Sequence, residues 1–168
     1  IRPRIDRILF AATKADHLHH ANHDRLEAIL RRMVDRAAAR ATLTGATIDV
    51  IALAAVRATR EAQVRRGMEL LPSIIGVPAA GERAGGSAFD GVAEAALFPG
   101  DLPTDADALF RQDTANFRGL TAGTPEDADF RFLRLRPPSL EVGDDGAPAL
   151  PHIRLDRALQ FLIGDRLG

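Results

Sequence analysis

Cysteine is absent from this 168-residue sequence, which excludes a disulfide scaffold, a thiolate nucleophile and every Cys-based zinc pattern. Long hydrophobic runs are missing too, and no apolar stretch approaches the roughly 20 residues needed to span a bilayer. The opening Ile1-Arg2-Pro3-Arg4 has no initiator Met and none of the charged, apolar and small-residue blocks of a secretion signal. A cytoplasmic location and a chain that is a piece of a longer protein are the resulting expectations. Neither sign of charge dominates. With 22 Lys and Arg against 23 Asp and Glu, neither a nucleic-acid-binding field nor a polybasic membrane patch is expected. Several catalytic signatures are also missing: G-x-x-x-x-G-K-[ST], H-E-x-x-H and G-x-S-x-G. Gly81 to Ser87 imitates the spacing of the first but has no Lys and follows no strand-to-helix signal.

What is present reads first as a βαβ unit. Ile5 to Ala12 contains the continuous apolar run Ile-Leu-Phe-Ala-Ala and is followed by the polar loop Thr13-Lys14-Ala15-Asp16, the pattern of a buried strand. Leu26, Ile29, Leu30, Met33, Val34 and Ala37 recur at spacings of three and four, which predicts a helix of about five turns. Asp24 with Glu27 suits a capping box, Asn22 offers an alternative cap, and Gly45 lies past the end. Thr47 to Val56 returns to a strand pattern interrupted only by Asp49. Both strands read as buried on two faces, as a parallel sheet covered by helices requires. Two strands cannot complete such a sheet, so further strands are expected from elsewhere.

From Gly67 to Pro151 the texture changes to Gly and Pro between short apolar pieces: Leu71 to Val77, Ala95 to Phe98 and Phe130 to Leu135. This predicts a loop-rich, mainly β insertion. Phe130 to Arg136 alternates apolar with basic, giving one buried and one solvated face. Arg154 to Leu167 predicts a second amphipathic helix with Leu155, Leu159, Leu162, Ile163 and Leu167 inward. The organisation expected is an α/β nucleotide-binding part over 1–66, the insertion over 67–151 and a C-terminal helix packing on the core over 152–168.

Thr13, Lys14 and Asp16 form the sequence's most informative chemistry, because [NT]-K-x-D at the carboxyl end of a buried parallel strand suits a guanine base. A carboxylate presents two acceptors to the adjacent N1–H and exocyclic amine of guanine, whereas adenine offers an acceptor at N1 and only hydrogen at C2. Charge-assisted bonds worth about 1.5–3 kcal/mol each make base discrimination of about a hundredfold attainable. Lys14 can lay its stem over the base while its ammonium stays near solvent, and Thr13 can tie the loop to neighbouring backbone. Ligands of open α/β sheets bind outside the carboxyl ends of strands, where Ala55-Val56-Arg57 also falls. GTPases carry their second base loop there, typically Ser-Ala-Lys, with a backbone N–H on the guanine O6. The bland alternative is a solvated β–α loop with Asp16 capping a helix.

Five stretches carry a more specific resemblance: Ala12-Thr13-Lys14-Ala15-Asp16-His17, Ala52 to Thr59, Leu97-Phe98-Pro99-Gly100-Asp101-Leu102-Pro103, Phe132 to Pro138 and Leu150 to Arg157. In order and over nearly the whole chain, they resemble the carboxy-terminal half of the YcjX-like family of predicted P-loop NTPases. The resemblance implies a partial P-loop, GTPase-like parallel sheet with helices, and GTP or GDP bound with Mg²⁺ in the intact protein. It also implies association with stress responses and an upstream segment carrying the phosphate loop and switch regions. On this reading the intact protein binds and slowly hydrolyses GTP as a switch. Asp16 selects guanine, Lys14 covers it and the Val56 N–H touches O6, while the catalytic residues lie outside this sequence. An unknown protein partner fits the competing reading, a non-enzymatic interaction module on a degenerate P-loop scaffold.

Other polar clusters carry blander expectations. His17, His19, His20 and His23 crowd seven residues, where a solvated loop near the nucleotide outweighs a Zn²⁺ or Ni²⁺ site for want of a third firm ligand; no metal site is expected. His152 reads as a helix-entry or packing residue. Asp101, Asp105, Asp107, Asp127 and Asp129 sit where turns and caps want Asp. Ser73, Ser87 and Ser139 have no hydrolase context, and Arg131, Arg134 and Arg136 read as a solvated strand face.

Overall fold

The computed structural model describes residues 5–111, 133–143 and 146–166. Strand β1 (Arg7–Ala12) pairs in parallel with β2 (Thr47–Ala52), with Phe10 opposite Val50 and Ala12 opposite Ala52. Helix α1 (His23–Leu43) makes the crossover. Its half-buried apolar residues are Leu26, Ile29, Leu30, Val34, Ala38 and Ala41, so beyond Leu30 the stripe runs mostly at spacings of four and leaves Met33 and Ala37 exposed. No capping box forms: Asn22 stands at the N-cap position without a side-chain cap, and Glu27 reaches instead to the Ala52 N–H. At the other end Gly45, at φ 88, closes the last turn by donating to the Thr42 carbonyl.

Val50, Ile51 and Ala52 are fully buried, whereas every residue of β1 is only half-buried. The expectation of two strands covered on both faces therefore holds only for Val50 to Ala52 in the second half of β2. The second strand also ends at Ala52 rather than Val56, because at Ala54 the chain turns to bridge Ile153 in an antiparallel sense.

A hairpin spans the boundary expected at 66/67. Strand β3 (Arg60–Arg66) forms a tight hairpin with β4 (Glu69–Gly76) through Gly67, at φ 65, and Met68, so a boundary at 66/67 would cut the hairpin at its turn. Gly85 and Gly86, both at positive φ, turn β5 (Arg83–Ala84) back on β6 (Ser87–Ala88). The stretch that imitates a phosphate loop is therefore a hairpin and not a helix start. β7 (Ala95–Leu97) adds antiparallel to β4. A short helix, α2 (Ala108–Arg111), and a hairpin of β8 (Glu141–Val142) with β9 (Pro148–Ala149) follow. Ile74, Ala84, Leu97 and Leu133 form the insertion's buried cluster, joined by Phe89, Ala95 and Leu135. Of the alternating stretch, 130–132 lies outside the described residues, as do Asp127, Asp129 and Arg131. In the rest the alternation holds, with Leu133 buried and Arg134 exposed and paired with Glu82, but the expected strand is reduced to one isolated bridge of Leu135 with Pro78.

Helix α3 (Leu155–Ile163) packs on β1, with Ala158 buried and Leu155 and Phe161 half-buried. Leu159, Leu162 and Ile163, expected inward, are exposed, and Leu167 lies outside the described residues. The helix is short enough that its position over β1 selects one side of an apolar surface too broad to be buried on a single strand. No helix among the described residues is long and apolar enough to cross a membrane.

Candidate functional site

The two loops at the carboxyl ends of β1 and β2 lie side by side because the parallel ladder continues into them. The Leu53 N–H donates to the Ala12 carbonyl at 2.8 Å and the Ala15 N–H to the Leu53 carbonyl at 3.1 Å. Lys14 adopts the left-handed region at φ 59, a conformation that costs a non-glycine residue free energy and needs its surroundings to hold it. Here the buried Ala15 and Asp16 on one side and the ladder on the other hold the turn, leaving Thr13 and Lys14 exposed.

Asp16 is only 4% exposed. Its Oδ2 accepts from the Ala58 N–H at 2.9 Å and its carbonyl accepts from the Thr59 hydroxyl at 2.5 Å. A carboxylate oxygen has two acceptor directions, so the Ala58 contact fixes the group's orientation and still leaves acceptor capacity on both oxygens. Thr59, itself buried, has no role legible from sequence spacing, though it ends one of the stretches that carry the family resemblance. Gly76 of β4 passes so close that an added Cβ would lie 3.2 Å from the Ala58 carbonyl and 3.3 Å from the Thr59 methyl.

The second loop is pinned at both ends. Ala54 and Ile153 exchange N–H to carbonyl bonds of 3.1 and 2.8 Å, and the Arg57 N–H donates to the Pro151 carbonyl at 2.6 Å. Between these pins Ala55 and Val56 are exposed, and among the described residues neither N–H is engaged. Arg57 is committed elsewhere: its guanidinium donates to the Thr59 carbonyl and pairs with Glu61 at 3.3 Å. The structure thus brings Thr13, Lys14, Asp16, Ala55 and Val56 to one end of the sheet and turns Arg57 aside to fasten the loop. Sequence spacing carries no signal for Pro151 and Ile153, which come from the far end of the chain.

The histidines divide. His19 and His23 are 5% exposed rather than solvated; His23 Nε2 donates to the Ala15 carbonyl at 2.9 Å and so supports the Asp16 loop from below. His20 Nδ1 donates to Glu61 Oε2 at 2.5 Å. Burial lowers the pKa of His19 from its ordinary 6.5, His20 and His23 add to that, and Glu61 and Asp101 oppose it. For Glu61, burial pushes upward, but the His20 hydrogen bond and the charges of His20, His19 and Arg57 together hold it below the usual range. Asn22, also buried, donates to Asp101 and accepts from the Leu102 N–H at 2.8 Å. Asp105 caps the Asp107 N–H, and Asp107 pairs with Arg32, the capping and surface roles expected of these carboxylates.

The fold is mixed α/β, with two loops side by side at the carboxyl ends of a parallel strand pair. The profile of the YcjX-like family, DUF463, matches residues 1–167, and the chain belongs to that family. It is 32% identical over 165 residues to a protein of Escherichia coli (strain K12) named Ras-like GTPase YcjX, covering 98% of this chain and 30% of that protein. A Shewanella oneidensis protein of the same name is 30% identical over 165 residues, covering 98% and 29%. The chain therefore spans under a third of the length of these relatives.

Proposed function

We propose that this chain supplies the guanine-recognising part of a GTP-binding protein. The observation that carries the reading is the pairing of an oriented, nearly buried carboxylate on one loop with the unengaged Ala55 and Val56 N–H groups on the next. Asp16 receives the N1–H and exocyclic amine of guanine, the Val56 N–H donates to O6, and the exposed Lys14 lays its stem across the base. Thr13 ties the first loop, and Thr59 holds Asp16 from the opposite side. Adenine would leave the Asp16 carboxylate facing an acceptor, a mismatch that costs more than a lost bond because a desolvated charge goes unmet.

The intact protein, on this proposal, is a cytoplasmic P-loop protein that binds GTP with Mg²⁺ and hydrolyses it slowly as a stress-associated switch. Mg²⁺ neutralises charge on the phosphates in such proteins. The described residues of this chain do not fit that role, since Gly81 to Ser87 is a hairpin with no Lys. Phosphate grip and catalysis are thus assigned outside the chain, and this part alone hydrolyses nothing.

The test is titration of GDP and ADP, with Mg²⁺, against the full-length protein and its Asp16→Asn variant, with xanthosine diphosphate as control. The expected result is GDP binding at least about tenfold tighter than ADP, a gap of about 1.4 kcal/mol, and a switch to the xanthine base in the variant. Binding of neither nucleotide would remove the reading and leave a non-enzymatic interaction module.

A further inference from the structure

His19, His20 and Glu61 place one ligand atom each within 4.8 Å of one another, and the geometry points to a transition-metal site of the Zn²⁺ class beside the base loops. Two imidazoles and a carboxylate form a borderline-soft donor set that suits Zn²⁺ and disfavours Mg²⁺ or Ca²⁺, which prefer all-oxygen shells. Three protein ligands leave a fourth position for water. The third ligand is what the histidine run alone lacks, and it comes from β3, 41 residues beyond His20.

The parts around the cluster favour a bound ion. Glu61 Oε1 is held by Arg57 at 3.3 Å and by the His20 N–H at 3.3 Å, which leaves Oε2 directed at the ring of His20. Such outer partners orient metal-binding carboxylates. The His20 side chain is 66% exposed, so an ion can enter from solvent, while that of Glu61 is 27% exposed. The His19 and His20 rings stand 4.3 Å apart between centroids. Among the described residues, Nδ1 of His19 is engaged only by the Ala21 N–H at 3.3 Å, a contact weak enough to surrender. With metal–ligand bonds of about 2.0–2.2 Å, a tetrahedral ion needs its donors about 3.3 Å apart. Binding therefore spreads the His20–Glu61 contact slightly and draws His19 inward. The ion takes the place of the hydrogen that His20 Nδ1 now gives to Glu61, and the ring carries its hydrogen on Nε2. The His20 Nδ1–H bond breaks and its proton passes to solvent, the neutral ring takes one up at Nε2, and no oxidation state changes.

Its effect is mechanical. His19 and His20 follow Asp16 closely in the chain, and Glu61 lies two residues after Thr59, so the ion clamps β3 to the loop carrying Asp16 in parallel with the Ala58 and Thr59 hydrogen bonds. The site stands whether or not guanine binds there. The experiment uses tag-free, chelator-stripped full-length protein titrated with Zn²⁺ by calorimetry and with Co²⁺ by visible absorption, alongside His20→Ala, Glu61→Gln and, as control, His152→Ala. The expected result is one nitrogen-ligated equivalent in the wild type and the control, weakened more than about tenfold in His20→Ala and in Glu61→Gln, and undisturbed by excess Mg²⁺. Circular dichroism of each variant must match the wild type; if either unfolds, His20→Asn and Glu61→Ala replace them. Unchanged Zn²⁺ stoichiometry and affinity in folded variants of both residues would overturn the site, as would displacement of the ion by Mg²⁺.

Discussion

The βαβ unit and the β insertion are held together by different means. The insertion closes over an apolar cluster, Ile74, Ala84, Leu97 and Leu133, and polar links such as Arg134 with Glu82 and Arg60 with Glu94 lie at its surface. Around the loops that follow β1 and β2 the links are polar and at least partly buried: Asp16 with Ala58 and Thr59, Asn22 with Leu102, and His23 with Ala15. Apolar packing tolerates small shifts, whereas hydrogen bonds fix direction. The Asp16 carboxylate is accordingly held at one angle by the Ala58 N–H.

If that division holds, truncation inside the cluster has the largest effect. Ile74→Ala is expected to lower unfolding free energy by about 2–5 kcal/mol, read from denaturant midpoints; a cost below about 1 kcal/mol would break the comparison. Asn22→Ala comes next, because it strips the buried Leu102 N–H of its acceptor. Its expected cost is about 1–3 kcal/mol, visible as a lowered melting temperature with the far-UV spectrum intact. Thr59→Val keeps shape and removes one bond to the Asp16 carbonyl. It should cost about 0.5–1.5 kcal/mol and speed amide exchange in the 14–17 loop; unchanged exchange there would mean that Thr59 does not steady Asp16.

The smallest effect concerns surface carboxylates, where the two regions should behave alike. The Arg7 hydrogen bond, set against slight desolvation, holds Asp165 below its ordinary 3.8. The Arg134 N–H and then its guanidinium hold Glu82 below 4.5. Each contribution is present above the ordinary value and is lost as the pH falls through the lowered one. Carboxyl chemical shifts followed through acid titration should show both groups titrating below those values; either one at or above its ordinary value would show that the arginine contact does not persist in solution.

Some of this is legible in the sequence, for local reasons. Phe10 and Ile51 sit in apolar runs of strand length, and Leu26, Leu30 and Val34 keep helical period, so β1, α1 and β2 announce themselves. The Thr13 to Asp16 loop is a contiguous motif. What escapes depends on partners distant in the chain. Arg60 to Arg66 offers only Ala62 and Val64 as apolar residues, and it is a strand because β4 pairs with it. Met33 and Leu159 are exposed because the position of the neighbouring strand, which no periodicity encodes, decides which part of a broad apolar face is covered. His19 and His23 carry polar side chains yet are buried, since carbonyl and backbone partners satisfy them.

The bridge between Ala54 and Ile153 and the ion pair of Arg154 with Glu27, whose residues stand 127 positions apart, set an order of events during synthesis. Residues 13–16 and 54–57 leave the ribosome first, but the second loop lacks its pins until the segment around Pro151 emerges. At about 5–20 residues per second that delay is on the order of ten seconds, during which the second loop of the nascent chain is unpinned. Fastening of the second loop is thereby a late step of biosynthesis, completed only once the segment through residue 154 has left the ribosome.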